Sequence, residues 1–574
     1  MDRMDGLRKR SLLSCAWLAI GIGLVFSPSK AFAAPATGLD EQTIRQLQQE
    51  RALRAQQEPP TDVQLKVKPT ADAGRIPDHE TPCFVIRQID LVGDSAKSFS
   101  WALSAANADQ DPAIGRCLGA KGIGVVMQRI QNALIARGYI TTRVLAGAQN
   151  LRSGILHLTL VPGRVGRVRF AEGTSPRAHA WNALPLESGD VLNLRDIEQG
   201  LENFKRVPTA DADMQIVPGA KPGESDVLIH WRQSYPLRLS LFVDDAGSKE
   251  TGRYQGGAIL SYDNWLTLND LFYLSVNRSL GLDRIPSEHG TSAYTIHYSV
   301  PFGYWGLGVT SSESQYRQSI AGANQSYVYR GKNHNQELKL SRLMYRDAVR
   351  KLTLSASTYL TTAHNYIDDT EIVVQRRRMA GFKAAVAYRQ FIGRATLDFE
   401  AAYRWGTGAR GAIPAPESAF GEGTAKPRIE TAALALNVPF EWGAEQLRYR
   451  TEMQAQWSQT VLIPQDRFAI GGRYTVRGFS GESLLSAEHG LLIRNDLGLV
   501  LGPYGELYIG VDYGQVSGPS ARWLPGKRLA GGVLGVRGGF KGLSYDVFAG
   551  HAIAKPAGFP ADGMVAGFRL GWTF

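Results

Sequence analysis

Arg477 and Asp512 carry the chemistry that this sequence advertises. Arg477 sits in Gly471-Gly472-Arg473-Tyr474-Thr475-Val476-Arg477-Gly478-Phe479-Ser480-Gly481, where glycines let the backbone turn sharply and pack closely. Asp512 sits in Gly510-Val511-Asp512-Tyr513-Gly514, inside an alternating run. Leu507, Ile509, Val511 and Tyr513 point one way; Tyr508, Gly510, Asp512 and Gly514 point the other. The acid therefore lies on the polar face of a strand, in a hollow left by the glycines two residues away on each side. A glycine-rich loop can lower one guanidinium into that hollow as a bidentate ion pair. This is chemistry that holds two elements together. Sequence patterns for turnover are absent: no His-Glu-x-x-His, no Gly-x-x-x-x-Gly-Lys-Ser/Thr and no Gly-x-Ser-x-Gly occurs. The acid pairs Asp244-Asp245 and Asp368-Asp369 read as loop or channel-facing positions, and His489 and His551 have no evident partner. No enzyme activity, metal or cofactor is expected.

The elements that must position this pair belong to an exported chain. Arg8-Lys9-Arg10, the apolar Leu12 to Phe26 and the Ala31-Phe32-Ala33 cleavage site make residues 1–33 a signal peptide. No later segment is long and apolar enough for a transmembrane helix, so a membrane can be crossed only by a closed barrel. The 62 glycines and the 22 Tyr, 21 Phe and 11 Trp suit many strands in close contact. A formal charge of +11 raises nucleic acid as a partner, but no basic cluster is interleaved with aromatics, so none is expected. Two cysteines survive cleavage, Cys83 and Cys117, and export favours bonding them. Their loop of roughly 35 residues would be worth roughly 3–4 kcal/mol in the chain-entropy account.

After cleavage, residues 34–57 form a polar helix whose thin stripe of Ile44, Leu47 and Leu53 has no core face. It is either a plug for a polar pore or a solvated tether. Residues 58–81 are a Pro-rich linker. In residues 82–163, strand Phe84–Val92, helices near Ser98–Ala106 and Gly122–Arg137, and strands Ile140–Val144 and Ile155–Val161 form one domain. Residues 164–233 repeat that order more loosely, with Ile197, Leu201 and Phe204 on a helix face and Val227, Ile229 and Trp231 on a strand. From 235 to 574 apolar and polar residues alternate, as in Leu237, Leu239, Leu241 and Val243 against Arg238, Ser240, Phe242 and Asp244. At about 21 residues per strand and connection this gives roughly sixteen strands of a transmembrane barrel. Phe568, Leu570, Trp572 and Phe574 share one face of the last strand.

Val476-Arg477-Gly478-Phe479 followed by Gly510-x-Asp512-x-Gly514 resembles the loop and strand motifs of the TpsB transporters of two-partner secretion, the FhaC/ShlB/HecB haemolysin secretion/activation family related to BamA. Pro82-Cys83-Phe84, Arg116-Cys117-Leu118-Gly119 and Arg137-Gly138-Tyr139-Ile140 resemble that family's version of the POTRA domain. The terminal phenylalanine resembles the recognition signal of outer-membrane barrels. The resemblance implies a sixteen-stranded antiparallel barrel in the outer membrane of a Gram-negative bacterium, two periplasmic α+β POTRA domains, and a loop whose arginine meets the strand aspartate inside the barrel. It implies a pore that recognises a large TpsA-type exoprotein by its N-terminal secretion domain and passes it unfolded to the surface. Outer-membrane lipid and the barrel-assembly machinery are the further partners implied. A BamA-like assembly factor is the alternative, against which the presence of only two POTRA-like segments argues.

Overall fold

The computed structural model describes residues 38–58, 61–65, 72–108, 110–281 and 289–574; the expected signal peptide lies outside them. Among these residues, sixteen antiparallel wall strands run from Leu237–Asp244 to Val565–Thr573 and close into a barrel. The pair Thr370–Glu371 adds a short extension on one loop. Alternation builds the wall. Along Gly505–Ser517, Leu507, Ile509 and Val511 are 42%, 58% and 51% exposed, while Tyr508 and Asp512 are 2% and 0%. Apolar side chains thus face outward and polar ones inward, the inverse of a soluble protein and the arrangement lipid demands.

The two rims differ. One carries short turns, such as those between Phe302 and Trp305 and between Trp442 and Glu445. Trp305, Trp442, Tyr504, Phe540, Trp572 and Phe574 are exposed at this rim, a ring of aromatics of the kind that sits at a membrane interface. The other rim carries the long connections, including 408–427 and 459–488. The wall closes where Thr573 pairs with Ser240 and Arg569 with Asp244.

Two α/β domains precede the wall. In the first, Gln88–Val92, Ile155–Val161 and Arg143–Leu145 form a three-stranded sheet. Helix α2, Ala120–Ala136, covers it with Val126, Ile130 and Leu134 fully buried at intervals of four residues. Each such side chain contributes about 1.5–3 kcal/mol on burial. The single strand expected over Phe84–Val92 is two strands. Phe84–Val85 pairs with Cys117–Leu118, and Gln88–Val92 with Ile155–Thr159. The break falls where the N–H groups of Arg87 and Gln88 both turn to the Gly154 carbonyl. Cys83 and Cys117 are disulfide-bonded beside it. The helix expected near Ser98–Ala106 is a 3-10 helix, Ala96–Ala106. The second domain has Arg164–Phe170, Glu224–Gln233 and Ala210–Pro218 in one sheet, with helix α3, Leu194–Lys205, against it.

Helix α1, Gly38–Gln57, lies inside the barrel. The Gln42 side chain donates to Ser248 Oγ at 2.6 Å, Arg54 pairs with Glu337 at 3.3 Å, and the Gln46 amide donates to the Gln315 carbonyl at 3.3 Å. A helix with an acyclic scatter of polar residues finds partners all round in a polar lumen, where an apolar core would reject it.

Candidate functional site

The connection 459–488 folds back into the barrel instead of leaving it. A hairpin of Phe468–Ile470 against Leu485–Ala487 starts the return. Thr475 then turns the chain, its Oγ1 accepting the Gly471 and Gly472 N–H groups at 3.0 and 3.1 Å. Val476 and Phe479 are buried with Ile470, Leu485, Val516 and Phe559. This apolar base fixes the loop, and Arg477 projects from it towards the wall. Gly478 adopts φ +99°, which side chains rarely do, and a Cβ there would lie 2.4 Å from the His551 carbonyl oxygen.

Arg477 meets Asp512 three times. Nε donates to Oδ2 at 2.7 Å, Nη2 to Oδ1 at 2.7 Å, and the backbone N–H to Oδ2 at 2.9 Å. Gly510 and Gly514 border the acid, as the sequence motif requires. A Cβ on Gly510 would come 2.9 Å from Arg477 Nη2, and one on Gly514 would come 2.8 Å from a Val476 methyl. Both glycines are space for the loop.

Sequence reasoning missed a second acid. Asp496, on the neighbouring strand His489–Leu501, accepts from Arg477 Nη2 at 2.5 Å. Arg537 donates to the same Asp496 at 2.8 Å and to Glu506 at 2.7 Å, and Arg450 donates to Glu506 at 3.0 Å. A ladder of alternating charge therefore runs down the lumenal wall from the loop tip, with Arg537 also 4.3 Å from the Tyr508 ring centre. Such a ladder holds a buried cation by sharing it between two carboxylates, so the desolvation of Arg477 and of Arg537 is offset twice. Gly531 was missed as well: a Cβ there would lie 1.7 Å from the Arg477 carbonyl oxygen.

Arg473 reaches the wall closure. Its Nη1 donates to Asp245 Oδ1 at 2.8 Å and to the Phe568 carbonyl at 3.3 Å, while the Phe568 N–H donates to the same carboxylate oxygen at 2.8 Å. Leu570, Trp572 and Phe574 point outward, apart from the loop. The loop is also tied to α1. Glu41 accepts the Leu484 N–H at 3.2 Å, and Arg45 donates to the Gly481 carbonyl.

The family described as haemolysin secretion/activation protein ShlB/FhaC/HecB matches residues 223–538, a ShlB-type POTRA domain matches 84–163, and a second POTRA domain matches 164–218. Outer membrane transporter CdiB-2 of Burkholderia pseudomallei (strain 1026b) is 37% identical over 511 residues, covering 86% of each chain. Outer membrane transporter CdiB of Dickeya dadantii (strain 3937) is 27% identical over 579 residues, covering 99% of each. The solved CdiB from Acinetobacter baumannii superimposes with a TM-score of 0.83 at 28% identity, covering 94% of this chain and all of that one. With its closed barrel, its paired POTRA domains and its inward-folded loop, the chain belongs to the ShlB/FhaC/HecB haemolysin secretion/activation family, the outer-membrane transporters of two-partner secretion.

Proposed function

We propose that the two POTRA domains capture a large TpsA-type exoprotein in the periplasm, and that it crosses the barrel extended, with the Arg477 loop held against the wall as one side of the path. The observation that carries the reading is a polar lumen into which a loop is locked by a buried, shared arginine. A passive porin needs no such fixture. Residues 84–163 and 164–218 supply the receptor, and the wall supplies the path. Helix α1 acts as a removable plug, since its contacts in the lumen are hydrogen bonds and ion pairs, which water can replace. Outer-membrane lipid surrounds the apolar band, and Phe568, Leu570, Trp572 and Phe574 serve as the address for the barrel-assembly machinery. Nothing in this role calls for catalysis, because folding of the exoprotein outside the cell can draw the chain through.

The test is deletion of 82–233 in cells that make the exoprotein. The barrel should still reach the outer membrane while the exoprotein stays inside. Export by the truncated chain would remove the receptor role.

A further inference from the structure

The segment 61–65 is more than a connection. Its alternate N–H groups are taken by two carboxylates of α3: Val63 donates to Glu202 Oε1 and Leu65 to Glu198 Oε1, both at 2.8 Å. Its carbonyls are taken by cations at the short-turn rim of the barrel. Arg346 Nη2 donates to the Val63 carbonyl at 2.6 Å, and Lys351 Nζ to that of Thr61 at 3.4 Å. The side chains of Val63 and Leu65 pack on the core of the second POTRA domain, while Gln64 between them is exposed.

The groove is built of buried, paired charges. Glu198 and Glu202 are 1% and 9% exposed, and the Arg346 side chain is 3% exposed. Buried acids are costly unless paired, and these are paired: Arg346 meets both, at 3.2 and 2.8 Å, Arg195 meets Glu198 at 2.6 Å, and Lys351 meets Glu202 at 2.5 Å. One oxygen of each acid, besides its cation, also accepts a main-chain N–H, and two apolar seats lie beside them. Such a site recognises extended polypeptide backbone with apolar side chains at every second position. It is tolerant of sequence, because main-chain groups carry most of the bonds.

The strap also lies close to α1 in the chain. Val63 follows the helix end at Gln57 by six residues, a reach of about 20 Å at most, whereas a 20-residue helix is about 30 Å long. Helix and strap are thus neighbours in the chain, separated by residues 58–60.

We propose that Glu198, Glu202, Arg346 and Lys351 form a docking groove at the periplasmic mouth for an extended segment of the exoprotein, and that residues 61–65 occupy it in the idle transporter as a built-in competitor. The inference rests on the secretion reading above and deepens it. The incoming chain is then received where it enters.

Two measurements on the full chain test this. The first uses a fluorescein-labelled peptide of the chain's own residues 58–66 and reads fluorescence anisotropy. Val63→Pro with Leu65→Pro removes both strap N–H donors and leaves α3 untouched. This variant should bind the peptide about tenfold tighter than the parent, and adding Glu198→Gln and Glu202→Gln should remove the gain. Equal affinity in all three, or a gain that survives the Gln changes, overturns the groove. The second places benzoylphenylalanine at Leu65, whose N–H bonds Glu198 of α3, in cells exporting the exoprotein. The cross-link to α3 seen in idle cells should be lost during export. An undiminished cross-link while exoprotein accumulates outside overturns the competition. If the parent chain exports nothing, the secretion reading itself falls, and the groove with it.

Discussion

Asp512 takes three hydrogen bonds from Arg477, at 2.7, 2.7 and 2.9 Å, and one of them comes from the main chain. The side-chain pair fixes the loop's charge, and the main-chain bond fixes its register. A single acid thereby sets both where the loop lies and which residue lies there.

Arg477→Ala should leave the barrel inserted and heat-resistant in detergent, because the hydrogen-bonded wall does not run through the loop. Breaking one side of a buried pair costs about 3–5 kcal/mol, and a water-filled lumen screens part of that. Secretion should fall sharply, read as exoprotein in the medium. Arg477→Lys should rescue it only in part, since one ammonium cannot fork across Asp512 and also reach Asp496.

Asp512→Ala should be as harmful as Arg477→Ala, and the double variant little worse than either. Asp496→Ala should be milder, because Arg477 keeps its three bonds to Asp512. Secretion assays on the four variants decide it. Additive losses for Arg477 and Asp512 would show that the pair does not hold the loop.

Removing residues 38–57 should raise single-channel conductance in planar bilayers by more than it lowers secretion. Unchanged conductance would mean that α1 does not block ions.

Reducing the Cys83–Cys117 bond, which spans 34 residues, should destabilise the first POTRA domain by about 3–4 kcal/mol on the chain-entropy account. Thiol labelling of the denatured, unreduced chain should find neither cysteine free. The barrel should melt as before.

The first POTRA domain should also loosen in acid. The Ile76 N–H, first, and then Arg129 and Arg116 hold the Asp111 carboxylate below its usual range. A depressed acid contributes stability that is present above its unfolded pKa, about 4, and is lost as pH falls through the folded value. Protease sensitivity of the segment around Ile76 should therefore rise below about pH 4. In Asp111→Asn it should be high already at neutral pH, with little further change on acidification.

Much of this architecture was readable because two periods do most of the work. Alternation along Gly505–Ser517 placed Asp512 inward, and the sixteen-strand wall followed from repeating that pattern. Asp496 was readable in principle. It faces Gly510 across the hairpin His489–Leu501 and Gly505–Ser517, so pairing the two runs across their short turn would have brought it to the same hollow. The break at Ile86–Arg87 was hidden, because Phe84 to Val92 reads as strand throughout while its hydrogen bonds change partner. The strap at 61–65 was hidden for another reason. Five residues between prolines and a polar run have no periodicity, and their partners, Glu198, Glu202 and Arg346, are far away in sequence.

The hydroxyls of Ser240 and Thr573 lie 2.8 Å apart across the wall closure, separated by 333 residues. Every other seam in the wall joins consecutive strands, so closure is the one step with a very large loop to shut. Until Thr573 has been delivered, the first wall strand keeps a bare edge and the sheet stays an open, adhesive ribbon. Without Val565–Thr573, the first wall strand lacks the partner that it has here. The strand made last is therefore the one that ends this exposure.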